Sequence, residues 1–318
     1  MLRDRKRLIS TTFVAVVVLA CNADMTSLDI VAHVPAMAAA KHSEWSAPVN
    51  LGPIVNSTAN EQNAQLQKDG LAIYFSSTRP GVGGLDIYVT RRASVDSPWG
   101  PPVNLGPPVN TVDADFAPNI SIDGHLLFFA SNRAGGQGGN DLYMSWRANT
   151  NEDNWSTPVN LGAPVNTQDN EQAPNYHQNA EEGKANLYFN RGDATLNRAD
   201  LYYAFVSRDG VSSGSVVFVT ELNTPGFNEQ AASLRHDAKE VFFFSNRPGG
   251  LGNQDIWTST RPNANSTWFA PSNVTVLNTS SADVTPNLSF DGLTLLMGSS
   301  RPDGFGGNDI YMATRMRK

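Results

Sequence analysis

Cysteine is nearly absent: the 318 residues contain one, Cys21, so no internal disulfide and no multi-cysteine zinc site can form. Histidine is scarce as well. His33, His42, His125, His177 and His236 show no metal-binding spacing of the HExxH kind. There is no GxSxG elbow, no phosphate-binding glycine loop leading into a helix and no Cys-His arrangement, which removes the usual nucleophilic chemistries. Charge occupies only 17% of positions and its balance is acidic, −7 for the chain. Met1–Ala20 holds four cations (Arg3, Arg5, Lys6, Arg7) and one anion (Asp4), so the rest carries −10. That sign excludes nucleic acid and anionic lipid as partners and leaves membrane contact only through a lipid anchor. What is plentiful is apolar surface: 40% of positions are hydrophobic, enough to bury a core in one or two domains.

The basic start MLRDRKR is followed by LISTTFVAVVVLAC, an apolar run too short to span a bilayer comfortably, and residues 1–21 read as a secretory signal. The string VVVLAC resembles the lipobox at which bacterial lipoproteins are cleaved and acylated, with Cys21 as the lipidated residue. A conventional cleavage near Ala38–Ala40, in AMAAAKHS, is the alternative. Residues 22–44 carry no strong period and read as a flexible tether. The expected location is outside the cytoplasm, on the periplasmic side of the envelope as a lipoprotein, or secreted.

From Trp45 onward a period of about 55 residues runs to the C-terminus. The second copy shows it best: WGPPVNLGPPVNT, then DADFAPNISIDGHLLFFASNRAGGQGGNDLYMSWR. The first and last copies repeat it closely, the third has an irregular middle, NRGDATLNRADLYYAF, and the fourth lacks the opening Trp. One acid per copy (Glu61, Asp115, Glu171, Glu229, Asp283) precedes an arginine (Arg79, Arg133, Arg191, Arg247, Arg301), which in turn precedes an aspartate (Asp86, Asp141, Asp200, Asp255, Asp309). Alternating apolar runs such as LLFFAS and DLYMSW, punctuated by Asp-Gly turns, predict four short antiparallel strands per copy. So small a unit cannot close its own core, whereas five copies packed face to face around an axis can. The expectation is an all-β, five-bladed β-propeller over residues 45–318. Because the Trp-Pro-Val-Asn stretch follows the Asp-Ile-Tyr strand of the preceding copy, Trp45–Leu51 is predicted to pair with Asp309–Arg315 and close the ring.

The strings SxDGxxLxFxSNR and GGxGGxDIY look like the TolB-type propeller repeat, a WD-repeat-like family of bacterial exported proteins, over about 270 residues. That resemblance implies a propeller used for protein or ligand contact.

Within the repeat, the Arg and Asp flanking each glycine loop (Arg79 with Asp86, and its counterparts) are expected to form structural bridges that fix each hairpin. The glycines are expected to serve turns that need positive φ rather than calcium, since calcium-binding glycine-aspartate nonapeptides work in tandem. The five acids precede the strands that should be innermost, which would gather them at one channel mouth. Glu61, Glu171 and Glu229 stand beside Gln62, Gln172 and Gln230. Amides next to carboxylates suit a hydrated divalent cation such as calcium, a cationic peptide or a sugar; alternatively each acid only accepts backbone hydrogen bonds. No cofactor is otherwise indicated.

The leading expectation is a binding or scaffold propeller, not an enzyme, holding a protein or glycan of the cell envelope. A glycosidase or polysaccharide lyase is the alternative, because five-bladed propellers also carry carbohydrate-active sites. Five acids made equivalent by repetition would not divide acid and base roles, so such an enzyme would need a non-repeated group, with Glu181, Glu182, Asp193 and Asp200 in the irregular third copy as the places to look. A purely structural lipoprotein with a filled channel is the third possibility.

Overall fold

The computed structural model describes residues 42–178, 185–193, 198–207, 209 and 212–318. Residues 1–21, read above as a signal ending at Cys21, and almost all of the segment read as a tether, as well as Glu181 and Glu182, lie outside the described residues. From Lys41 to the C-terminus the chain forms one compact unit. Its strands build five four-stranded antiparallel sheets, the blades of a propeller. In the second blade the order from the axis outward is Asp115–Ile120, Leu126–Ser131, Asp141–Trp146 and Val159–Asn160. The other innermost strands are Glu61–Leu66, Asn170–Gln178, Glu229–Leu234 and Asp283–Leu288. The third blade is the odd one, with its three inner strands each extended to nine residues.

The ring closes as the repeat order demands. Val49–Asn50 is the outermost strand of the last blade, pairing Val49 with Met312 and Asn50 with Tyr311. The Ser46 and Ser43 amides extend the seam by donating to the carbonyls of Thr314 and Met316, each at 2.8 Å.

Apolar side chains are buried mainly between blades. Tyr74, Ile87 and Val89 of the first blade pack on Ile120, Leu127 and Phe129 of the second, and Ile73, Phe75 and Tyr88 pack on Leu296 and Ile310 of the last. Both faces of each blade are therefore covered, which is what a sheet whose strands read as continuous apolar runs requires. One asparagine per junction, at the end of the loop that enters the next blade, reinforces this packing. Asn110 accepts from the Ile87 amide and donates to the Ile87 carbonyl, each at 2.9 Å. Asn166 does the same to Leu142, Asn223 to Leu201, Asn278 to Ile256 and Asn56 to Ile310. Below, the repeated tryptophans stack under arginines: Arg147 lies 4.5 Å from the Trp155 ring, and Arg315 4.4 Å from Trp45 across the closing seam.

The glycine loops obey a constraint other than the expected one. Of the loop glycines only Gly135 and Gly249 have positive φ. Apart from Gly84, the rest are small because they are crowded: a methyl at Gly83, Gly138, Gly252 or Gly306 would overlap a carbonyl of the following loop (Asp113, Asp169, Ser281 and Ala59 respectively). These contacts tie each loop to the segment that enters the next blade.

Two outcomes follow. Gly138→Ala forces Thr167 and Asp169 apart from the loop and is expected to lower stability by about 2 kcal/mol in urea unfolding, whereas Gly84→Ala, with nothing within 4 Å, leaves the midpoint nearly unchanged. His177 lies buried with Nε2 near the carbonyls of Arg235 (3.2 Å) and His236 (3.1 Å), and burial holds its pKa below the ordinary 6.5; His42 and His236 are lowered in the same way. The unfolded chain then binds protons that the folded one resists, so stability is full above about pH 6.5 and falls as pH drops below it. Melting temperatures across pH 5 to 8 would show that slope, and His177→Gln would flatten it.

Candidate functional site

The five acids that begin the innermost strands are 0% exposed. Glu61 accepts from the Ser57 amide (2.9 Å), the Ser57 and Ser77 hydroxyls (2.7 Å each) and Nη2 of Arg79 (3.0 Å). Asp115 accepts from Thr111 and from Arg133 at 2.5 Å, Glu171 from Thr167 and from Arg191 at 2.7 Å, and Asp283 from Thr279, Ser299 and Arg301. Glu229 accepts from the Thr224 amide, the Ser245 hydroxyl and Arg247, and burial pushes its carboxyl above the usual range. Each arginine also donates to a loop carbonyl, as Arg79 does to Val55 and Arg133 to Val109, and lies over aromatic rings of its own blade.

This corrects the predicted pairing. The arginine turns back to the acid before it in sequence, not forward to the aspartate after it. Glu61 and Asp86 both stand opposite Ser77, but the Ser77 hydroxyl, which accepts from Arg79 Nε (3.0 Å), donates to Glu61 (2.7 Å), while loop amides and Asn104 take up Asp86. Asp86, Asp141, Asp255 and Asp309 instead accept amides of the glycine loop. In three of the blades a side-chain amide joins them: Asn104 on Asp86 (2.8 Å), Asn160 on Asp141 (2.7 Å) and Asn50 on Asp309 (2.8 Å). The acids stand at the mouth end of their strands, but with every oxygen taken up inside the protein they present no negative ring to the channel. Among the described residues no three His, Cys, Asp or Glu side chains converge as the ligands of a metal would.

The mouth itself belongs to their neighbours. Adjacent residues of a strand face opposite sides, so burying Glu61, Glu171 and Glu229 turns Gln62, Gln172 and Gln230 toward the axis. With Phe116 and Val284 at the same position in the other two blades, they ring a cavity of about 160 Å³. Asn190 and Phe244 from second strands, and Gln254 and Asn308 ahead of third strands, complete its wall, and all of these residues are uncharged. Asn308 donates to Gln62 at 3.3 Å. The amides of Gln172 and Gln230 have no partner among the described residues.

Sequence reasoning missed the floor of this cavity. Asn63, Ala117, Ala173, Ala231 and Thr285 all adopt left-handed backbone, with φ of 49–53°, at a bulge where pairing shifts register by one residue. For residues with a Cβ that conformation costs roughly 1–2 kcal/mol each, and bulges of this kind re-aim side chains beside sites. The amides freed there are taken by neighbouring blades: Ala117 donates to Ser76 Oγ at 2.8 Å and Tyr176 to Asn119 Oδ1 at 2.7 Å. No residue type marks such a bulge, so the sequence held no signal for it.

No family model matches the sequence, and no curated protein matches it. Solved structures do share the architecture. The catalytic domain of a Coprinopsis cinerea GH62 α-L-arabinofuranosidase superposes with a TM-score of 0.59 at 10% identity, covering 87% of this chain and 98% of that one. An α-L-arabinofuranosidase from Lactobacillus brevis gives 0.58 at 13% identity, covering 83% and 92%, and an endo-arabinase from Bacteroides thetaiotaomicron gives 0.54 at 15%, covering 86% and 98%. The fold resembles that of glycoside hydrolases.

That finding overturns the expectation of a non-enzymatic module. The proteins that share this scaffold over most of their length are named for hydrolysis, so the propeller itself gives no ground for excluding catalysis. The five buried acids do stand in near-equivalent sites, and the departure from equivalence lies in the third blade, at one of the places named for it. Asp200 lacks the glycine loop of its counterparts, and Phe218 stands opposite Tyr202 where Asn104 stands opposite Tyr88. Among the described residues Arg198 pairs with it at 3.8 Å, and burial raises its pKa above the ordinary aspartate value. The side chain of Asp193 lies outside the described residues.

Neighbouring substitutions separate the two faces of the innermost strand. Glu171→Gln leaves Arg191 buried without a counter-charge and is expected to cost about 3–5 kcal/mol; Gln172→Ala, one residue on, is expected to stay within about 0.5 kcal/mol of the parent in urea unfolding.

Proposed function

We propose that the protein is a carbohydrate-active propeller that takes a neutral glycan at its channel mouth. The observation that carries this reading is the cavity wall: free primary amides, which both donate and accept, set among Phe116 and Phe244 with no charged side chain. Sugar hydroxyls need paired donors and acceptors, and the C–H faces of a sugar ring suit aromatic surface. The arabinan-related names of the fold's solved relatives support a glycan over a protein ligand.

A second reading, that the bound glycan is also cleaved, is favoured by Asp200. It follows directly on Ala199, whose counterparts Gln254 and Asn308 line the cavity, so that it stands beside the cavity wall and not in it, and burial lets its carboxyl keep a proton to higher pH than an ordinary aspartate. A group so tuned is suited to general acid work.

Calorimetric titration of residues 41–318 with neutral oligosaccharides tests the first reading. The Gln172→Ala, Gln230→Ala double variant is expected to weaken binding at least about tenfold while its melting temperature stays near the parent's; unchanged affinity would place the glycan elsewhere. Release of reducing ends from a bound oligosaccharide, lost in Asp200→Asn with binding retained, would establish cleavage.

A further inference from the structure

The five left-handed residues do more than line the mouth. Asn63, Ala117, Ala173, Ala231 and Thr285 border the cavity of about 160 Å³ above them and also a second one, of about 20 Å³, below. The lower space runs between Pro118, Pro174 and Pro286 and has room for about one water molecule. The bulges thus form a collar that narrows the channel abruptly, immediately under the amides. Every blade contributes to the wall above the collar, so the cavity is enclosed all round the axis and shut beneath.

We propose that this site takes a single terminal residue of a neutral glycan end-on, with the rest of the chain pointing out into solvent. The proposal deepens the function proposed above and rests on it. A polymer cannot thread past the collar, and a wall made by all five blades leaves no open side along which a chain could lie at the depth of Gln172 and Gln230. The cavity is also smaller than the roughly 300–1,000 Å³ that encloses a whole drug-sized ligand. Neutrality follows from the lining: a uronate carboxylate or a sulfate would lose water without gaining a counter-charge. The collar keeps its shape because neighbouring blades hold its amides, as Ala231 is held by Asn190 Oδ1 at 3.4 Å and Asn63 by Thr285 Oγ1 at 3.2 Å.

The experiment is calorimetric titration of residues 41–318 with xylo-, cello- and α-1,5-arabino-oligosaccharides from the monosaccharide to the hexasaccharide. The best series is then repeated with its non-reducing terminal residue O-methylated, and separately with its reducing end coupled to a bulky aryl amine. End-on capture predicts an affinity that changes less than about threefold beyond the disaccharide. It also predicts a loss of at least about tenfold when one terminus is blocked, and none when the other is. Affinity that climbs with every added residue, or tolerance of both blocked ends, would overturn end-on capture while leaving a glycan site in place. Equal binding of a trigalacturonate would overturn the neutral preference. If no oligosaccharide binds at all, the function proposed above fails, and this inference with it.

Discussion

A carboxylate taken wholly out of water must be surrounded by donors, and this demand, made five times, organises the propeller. Each buried acid gathers backbone amides, hydroxyls or both, and a guanidinium, and breaking such a set is far more costly than losing a surface pair. The guanidinium is then no longer free to go elsewhere. Its remaining N–H groups satisfy the loop that enters the blade, and its plane lies over the aromatics of the second and third strands. One ion pair per blade therefore fixes the start of the innermost strand, the entering loop and the outer face of the hairpin together. The same pairing empties the channel mouth of charge, because the side chain that turns toward the axis is the acid's neighbour.

Much of this was legible in the sequence. The period of the repeat, the number of blades, the four strands in each and the closing partner of Trp45–Leu51 all follow from the order of the pieces, and the structure has them. Partner choice was not legible. Arg79 has an acid on either side of it in sequence, Glu61 before and Asp86 after, and spacing permits both. Register does not choose either, since both acids stand opposite Ser77; the choice falls to the donors, with the glycine-loop amides and Asn104 saturating Asp86 and leaving Glu61 to the guanidinium. The Asn-Glu-Gln triplet marked the acid and the amide alike as candidates, and only the fold separates them, since alternation along a strand buries Glu171 and turns Gln172 toward the axis. The collar left no trace, because alanine is an ordinary residue until its backbone turns left-handed.

The third blade is where repetition gives way. Its strands are longer, its glycine loop is replaced, and the asparagine that saturates Asp86, Asp141 and Asp309 is missing opposite Tyr202. A repeated scaffold can keep near-equivalent structure in four blades and set a carboxylate in a different environment in the remaining one, and Asp200 stands in such an environment. Enzymes on symmetric rings need this loss of equivalence, because identical environments cannot hold a proton on one group and withhold it from another.

The closing seam has a mechanical consequence. The third strand of the last blade runs from Asp309, at the mouth end, to Thr314 at the far end, and the seam continues to a bridge between His42 and Arg317. A load applied to the chain at His42 thus pulls from the face opposite the cavity, and it meets the seam at its free end. Because the paired segments run along that same line from the far end to the mouth, such a load shears the seam, and its hydrogen bonds, from Ser43 on Met316 to Leu51 on Ile310, share it instead of opening one at a time. A tug from the underside thus meets the ring where its fastening is spread most evenly.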